Sequence, residues 1–104
     1  MTTRVALTRI AREQIVAVDS WWRDHRPGSA NLFLSEFSDA IATIRHAPNA
    51  GHRYPHAEVE GVRRVPLRTT CKHVYYVPGK DFILVLAIWN STGDDEPDLL
   101  LAQR

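Results

Sequence analysis

At 104 residues the chain has the length of one ordinary domain, with room for one hydrophobic core and little for a second. Its 44% hydrophobic and 24% charged residues are globular proportions and exclude a disordered segment. A formal net charge of +1 excludes any argument for nucleic acid or membrane from global charge, so such an argument must come from local distribution.

Cys71 is the single cysteine, which rules out an internal disulfide, a paired-thiol motif and a thiolate zinc cage. Met1-Thr2-Thr3-Arg4 leads into a strand pattern rather than the apolar core of a signal peptide. The longest apolar run, residues 82–89, falls far short of the roughly 20 residues a membrane span needs. A cytoplasmic protein without a membrane partner is the expectation.

Val5 and Leu7 alternate with their neighbours and predict a short first strand. From Ile10 the period becomes helical: Ala11, Ile15, Val18 and Trp22 form one stripe, with Arg12, Glu13, Asp19 and Arg23 opposite. Thr8 is the expected N-cap, and Arg26-Pro27-Gly28 ends the helix. Ser29 is expected to cap a second helix with the stripe Phe33, Phe37, Ala40/Ile41 and Ile44, closed by Pro48-Asn49-Ala50-Gly51. So short a turn predicts an antiparallel helical hairpin.

Residues 52–60 read as an irregular polar connector. Val65 and Leu67 then alternate with Arg64, Pro66 and Arg68, a second strand covers residues 73–77, and Pro78-Gly79-Lys80-Asp81 turns into residues 82–89. That last run is apolar on both faces and predicts an interior strand covered on one side by the helices. Tight connections make the three strands mutually antiparallel, and Pro66 marks its strand as an edge or as bulged there. The predicted fold class is α+β, a two-layer β-α-α-β-β-β sandwich with an N-terminal helical hairpin on an antiparallel sheet, in one domain over residues 1–104. Residues 97–102 are expected to add a helical turn or two.

Arg63, Arg64, Arg68, Lys72 and Lys80 occur with no acid among them between Gly61 and Lys80. Strand alternation puts Arg64 and Arg68 on one face, and only one of Tyr75 and Tyr76 can join them. Such a face suits phosphate contacts, base stacking or an acidic peptide. Decoration that protects a sheet edge would look the same. Trp22 lies on the helix stripe, whereas Trp21 is displaced by about 100° and is expected to be partly exposed, as an interface anchor would be. Trp89 is expected to be structural.

His52 and His56 are separated by Tyr54-Pro55, which breaks the helix that would align them on a metal. His73 stands beside Tyr75 as a general base or a structural histidine. The acidic residues Asp94-Asp95-Glu96 and Asp98 fit a solvated terminus better than a metal site. No nucleophile elbow, phosphate-binding glycine loop or dinucleotide fingerprint is present. Neither a metal nor a cofactor is expected.

Taken in order, Trp21-Trp22, Arg26-Pro27, the apolar positions from Phe33 to Ile44, Pro48, Gly51 and Tyr54 resemble the first half of the RelE/ParE toxin superfamily. Gly61-Val62-Arg63-Arg64-Val65, Val74-Tyr75-Tyr76-Val77 and Val85-Leu86-Ala87-Ile88-Trp89 resemble its second half, so the likeness covers nearly the whole chain. It implies two helices on a twisted antiparallel sheet, and a cognate antitoxin with a segment that folds on binding.

RelE-like members are ribosome-dependent messenger-RNA endoribonucleases that use cationic groups to activate the 2′-hydroxyl and stabilise the phosphorane. On that branch Arg64, Arg68 and His73 would be the catalytic set. However, Pro66 stands where a second lysine belongs, Asn90-Ser91-Thr92-Gly93 replaces the basic stretch after the last strand, and no tyrosine follows Tyr76. ParE-like members inhibit DNA gyrase. Arg63-Arg64, Tyr75-Tyr76 and the long first helix favour this branch, although basic residues are missing after the last strand here too.

The resemblance therefore implies a gyrase-inhibiting toxin in a hetero-oligomer with an acidic, ParD-like antitoxin. Trp21, Arg63, Arg64, Arg68 and Tyr76 are the expected contacts to target or antitoxin. The alternatives are the ribonuclease and a non-toxic member that only binds antitoxin.

Overall fold

The computed structural model describes residues 3–55 and 59–90. Five strands form one sheet in the order β1-β5-β4-β3-β2, and two helices, α1 (Arg9–His25) and α2 (Leu32–His46), pack on one of its faces. The strands are β1 (Arg4–Leu7), β2 (His52–Arg53), β3 (Arg63–Leu67), β4 (Lys72–Pro78) and β5 (Phe82–Asn90). The two-layer α+β architecture matches the expectation from the sequence. The strands β3, β4 and β5 are antiparallel, as their short connections require, but β1 lies parallel to β5 with Val5 opposite Ile83 and Leu7 opposite Val85. The sheet is therefore mixed.

Thr8 explains how β1 passes into α1. Its Oγ1 accepts from the Ala11 amide at 3.0 Å and donates to the Leu86 carbonyl at 2.7 Å. One hydroxyl thus caps the helix and ties it to β5. β1 pairs with β5 only as far as Val85. Beyond it the Gln14 side chain accepts from the Ile88 amide at 2.7 Å, so a helix side chain satisfies an edge donor that no strand reaches.

The second helix starts later than the sequence indicated. Pro27–Ser29 forms a single 3-10 turn, and α2 begins at Leu32 with Asn31 in the cap position and no side-chain cap bond. The Asn31 Oδ1 instead accepts from Arg23 Nη2 at 2.8 Å. The helix stripes are otherwise as read: Ala11, Phe33 and Ile44 are buried, with Ile15, Val18, Trp22, Phe37, Ala40 and Ile41 packed around them.

The supposed irregular connector opens with β2, which pairs His52 with Arg64 and Arg53 with Arg63. β2 stops short of Pro66, so the proline sits where no outer strand needs its missing N–H. β5 is buried on both faces. Ile83, Val85 and Ile88 join the helix-side core, while Leu86 and Ala87 join Tyr75, Val59 and Val62 in a second cluster on the far face. The helical turns expected at 97–102 and the acidic residues from Asp94 lie outside the described residues, as does His56.

Candidate functional site

Alternation along β3 and β4 divides the basic and aromatic residues between the two faces of the sheet. Val65 and Leu67 belong to the helix-side core, which directs Arg64 and Pro66 to the far face. In register, Arg64 lies opposite Tyr75 and Pro66 opposite His73, while His73 lies opposite Trp89 on the next strand. The Arg64 guanidinium stands 5.3 Å from the centre of the Tyr54 ring. Tyr54 meets Tyr75 edge-on at 4.9 Å, and Tyr75 meets His73 edge-on at 6.2 Å. On the far face the half-buried Arg64 thus lies over Tyr54, whose ring is continued by Tyr75 and His73, an arrangement that favours cation–π contact with Tyr54. Burial, and secondarily the Arg64 charge, pull His73 below the ordinary value of 6.5. The shift favours the neutral imidazole.

The other sequence candidates are placed differently. Arg63 is half-buried on the helix-facing side, where its Nη1 donates to the carbonyls of Gly51 at 2.8 Å and Asn49 at 3.2 Å. Tyr76 is fully buried. Its hydroxyl donates to the Pro48 carbonyl at 2.7 Å and accepts from the Gly51 amide at 2.9 Å. These two residues brace the turn that follows α2, and the buried Tyr76 offers no surface to a partner. Both tyrosines of the pair are in fact buried, because the loop residues Val59 and Val62 pack over Tyr75.

Arg68 is not on a strand. β3 ends at Leu67, and Arg68 is the exposed first residue of the turn into β4. Arg64 and Arg68 therefore do not share a strand face. The turn is fixed from the helix side: Glu36 of α2 accepts from the Thr69 amide at 2.9 Å, the Thr70 amide at 3.0 Å and the Thr70 hydroxyl at 2.6 Å. Burial alone would raise the Glu36 carboxyl, but those hydrogen bonds outweigh it and hold it below its ordinary value.

Trp21 is 46% exposed, as its displacement from the helix stripe required, and Trp22 is half-buried against the core. The two rings meet edge-on at 5.5 Å, and His25 stacks on Trp21 at 4.6 Å. The two tryptophans, together with Ala17, Val18, Thr70 and Lys72, line a groove of about 360 Å³. Lys72 supplies its rim charge and also bonds Asn90 at the end of β5. The i, i+3, i+4 spacing of Val18, Trp21 and Trp22 was the available signal for this groove. Tyr54 entered the sequence reading through the family resemblance, and nothing local pointed to its contact with Arg64.

Trp21 and Arg64 thus lie on opposite sides of the sheet, with the Arg68–Cys71 turn at the end of the two strands between them. Among the described residues no cluster of His, Cys, Asp or Glu could hold a metal ion, and no helix is long and apolar enough to cross a membrane.

Among solved structures, a chain of the chromosomal ParDE TA system from P. aeruginosa has a TM-score of 0.70 to this chain. It covers 88% of this chain and 98% of its own length at 20% identity, a likeness of fold. The class is thus that of small two-layer α+β domains with two helices on one face of a sheet. The sequence model described as "ParE toxin of type II toxin-antitoxin system, parDE" matches residues 5–94, and the chain belongs to this family. No curated protein sequence matches it.

Proposed function

We propose that this protein is the toxin of a type II toxin–antitoxin pair, that it arrests growth by binding DNA gyrase, and that an acidic ParD-like antitoxin neutralises it. The observation that carries the reading is the family match over residues 5–94. Geometry supports a binding role. The Arg64 guanidinium, set over Tyr54, offers a charged fork to a carboxylate or phosphate of the partner. The groove beside Trp21 offers an apolar recess with a cationic rim. Two receiving features on opposite sides of one sheet suit a segment that wraps the domain and folds as it binds. In this reading Trp21, Arg64 and Arg68 contact partners, while Arg63 and Tyr76 hold the scaffold beneath them.

Hydrolysis of RNA would require Arg64, Arg68 and His73 to act on one phosphodiester. Arg64 and His73 share the far face, whereas Arg68 belongs to the turn. This division supports a gyrase-binding surface over a nuclease centre. The deciding experiment adds purified protein to gyrase supercoiling reactions and to ribosomes translating a defined message. Inhibited supercoiling with intact message, reversed by the co-expressed antitoxin, is the expected result. Codon-positioned cuts with normal supercoiling would replace the reading with a ribonuclease. Harmless expression without antitoxin would leave a member that only binds its antitoxin.

A further inference from the structure

The pairing of β2 with β3 sets two arginines against each other. Arg53 and Arg63 are register partners, and the Tyr54 amide donates to the Val62 carbonyl at 2.9 Å. The Tyr54–Val62 pair is therefore a hydrogen-bonded one, which makes the adjacent Arg53–Arg63 pair the non-bonded kind, the closer of the two in an antiparallel ladder. Side chains of such a pair emerge together on one face, and like charges placed so repel. The ion pairs among the described residues are Arg9–Glu13 and Arg23–Asp19, so neither arginine has a carboxylate there.

Both arginines line a cleft of about 320 Å³ whose other walls include Asn49, Tyr54, Gly61 and Val62. Among the described residues no carboxylate lines it. Arg63 is held from behind through Nη1 by the Gly51 and Asn49 carbonyls, so the rest of its planar fork is fixed in direction. Arg53 is exposed opposite it.

We propose that this cleft is an anion site for the phosphate group of a nucleotide, whether free or within a strand of nucleic acid. One guanidinium fork satisfies a planar carboxylate, whereas two forks set side by side on neighbouring strands and lining one cleft suit a tetrahedral group with more oxygens and up to two charges. The volume exceeds what a bare phosphate fills, since a water occupies about 30 Å³ of liquid. Pro55 and Pro78, which also line the cleft, supply apolar wall for the attached sugar or base. The site does not depend on which enzyme the toxin targets, so its failure would leave the gyrase reading intact.

The test titrates the folded full-length protein with inorganic phosphate, with a mononucleotide, with a short DNA strand and with a glutamate hexapeptide, following amide shifts by NMR. Saturable shifts centred on Asn49, Gly61 and Val62 are expected with the phosphate ligands. Arg53→Gln, an exposed position outside the core, is expected to weaken that binding about tenfold or more, and Arg12→Gln on α1 to change it by less than about twofold. A mononucleotide that binds as well as the strand identifies a free nucleotide, while tighter, steeply salt-dependent strand binding identifies nucleic acid. Unchanged affinity in Arg53→Gln, or saturation by the hexapeptide but not by phosphate, would overturn the proposal.

Discussion

The Tyr76 hydroxyl and the Gly51 amide are bonded at 2.9 Å across 25 residues of sequence, and the same hydroxyl donates to the Pro48 carbonyl. A Cβ at position 51 would lie 2.6 Å from that hydroxyl oxygen and 3.1 Å from the Arg64 carbonyl, so only glycine lets the turn close on the ring. Tyr76→Phe strands a buried donor and acceptor and is expected to lower stability by about 1–3 kcal/mol. Gly51→Ala is expected to cost a similar amount, about 1–3 kcal/mol, through overpacking. Urea denaturation of the single and double variants checks both, and the double variant should lose less than the sum because the two residues share one contact.

Acid should act through Glu36. Its folded-state carboxyl lies below the ordinary value of 4.5, so it contributes stability that is present above the unfolded value and lost as pH falls through the folded one. The wild-type protein is expected to lose stability in the window below 4.5, whereas Glu36→Gln should be weaker at neutral pH and show a shallower acid loss. Thermal denaturation at a series of pH values measures the difference, and equal acid slopes in the two proteins would refute it.

His73 offers a separate titration. Burial is the larger cause of its lowered value and the Arg64 charge the smaller. Arg64→Gln should therefore raise the His73 midpoint toward 6.5 without reaching it. The sign on stability follows: the folded imidazole resists a proton that the unfolded chain accepts, so stability declines as pH falls below 6.5 toward the folded value. NMR titration of the imidazole carbons in both proteins is the measurement.

The same residues show what sequence periodicity can carry. The stripe of α1, the Thr8 cap and the doubly buried β5 were legible because each is written in local spacing or in the chemistry of one residue. The grouping of Arg64 with Arg68 failed because it assumed that β3 continues past Leu67. What ends the strand is Glu36, 33 residues away, gripping the Thr69 amide, and no local pattern carries that contact. Alternation likewise put Tyr75 and Tyr76 on opposite faces, but it could not show that Val59 and Val62 cover the far one. The parallel placement of β1 beside β5 was hidden for a related reason, since a four-residue strand contains nothing that selects its partner.

The two tryptophans should separate folding from binding. Trp22→Ala is expected to cost about 2–3 kcal/mol because the ring packs on the core, while Trp21→Ala should change stability by less than about 1 kcal/mol. If the groove receives the antitoxin, Trp21→Ala weakens that complex about tenfold or more, as loss of an aromatic anchor does. Calorimetric titration of the purified pair, set beside denaturation of the free toxin variants, distinguishes the two effects.

The bond from Thr8 to the Leu86 carbonyl spans 78 residues, and the strand that begins the sheet is paired only with the one described last. Such non-local closure makes folding slow relative to a helical bundle of the same size. It also sets an order of events at the ribosome. At 5–20 residues per second, roughly 4–16 s of synthesis separate the appearance of Thr8 from that of its partner. During that interval β1 has no neighbour and the cap of α1 lacks its anchor. Nascent chains cut short between β4 and β5 therefore carry both helices but lack the strand on which β1 and the start of α1 are anchored. A premature stop anywhere upstream of residue 82 should yield a product that is harmless and quickly degraded.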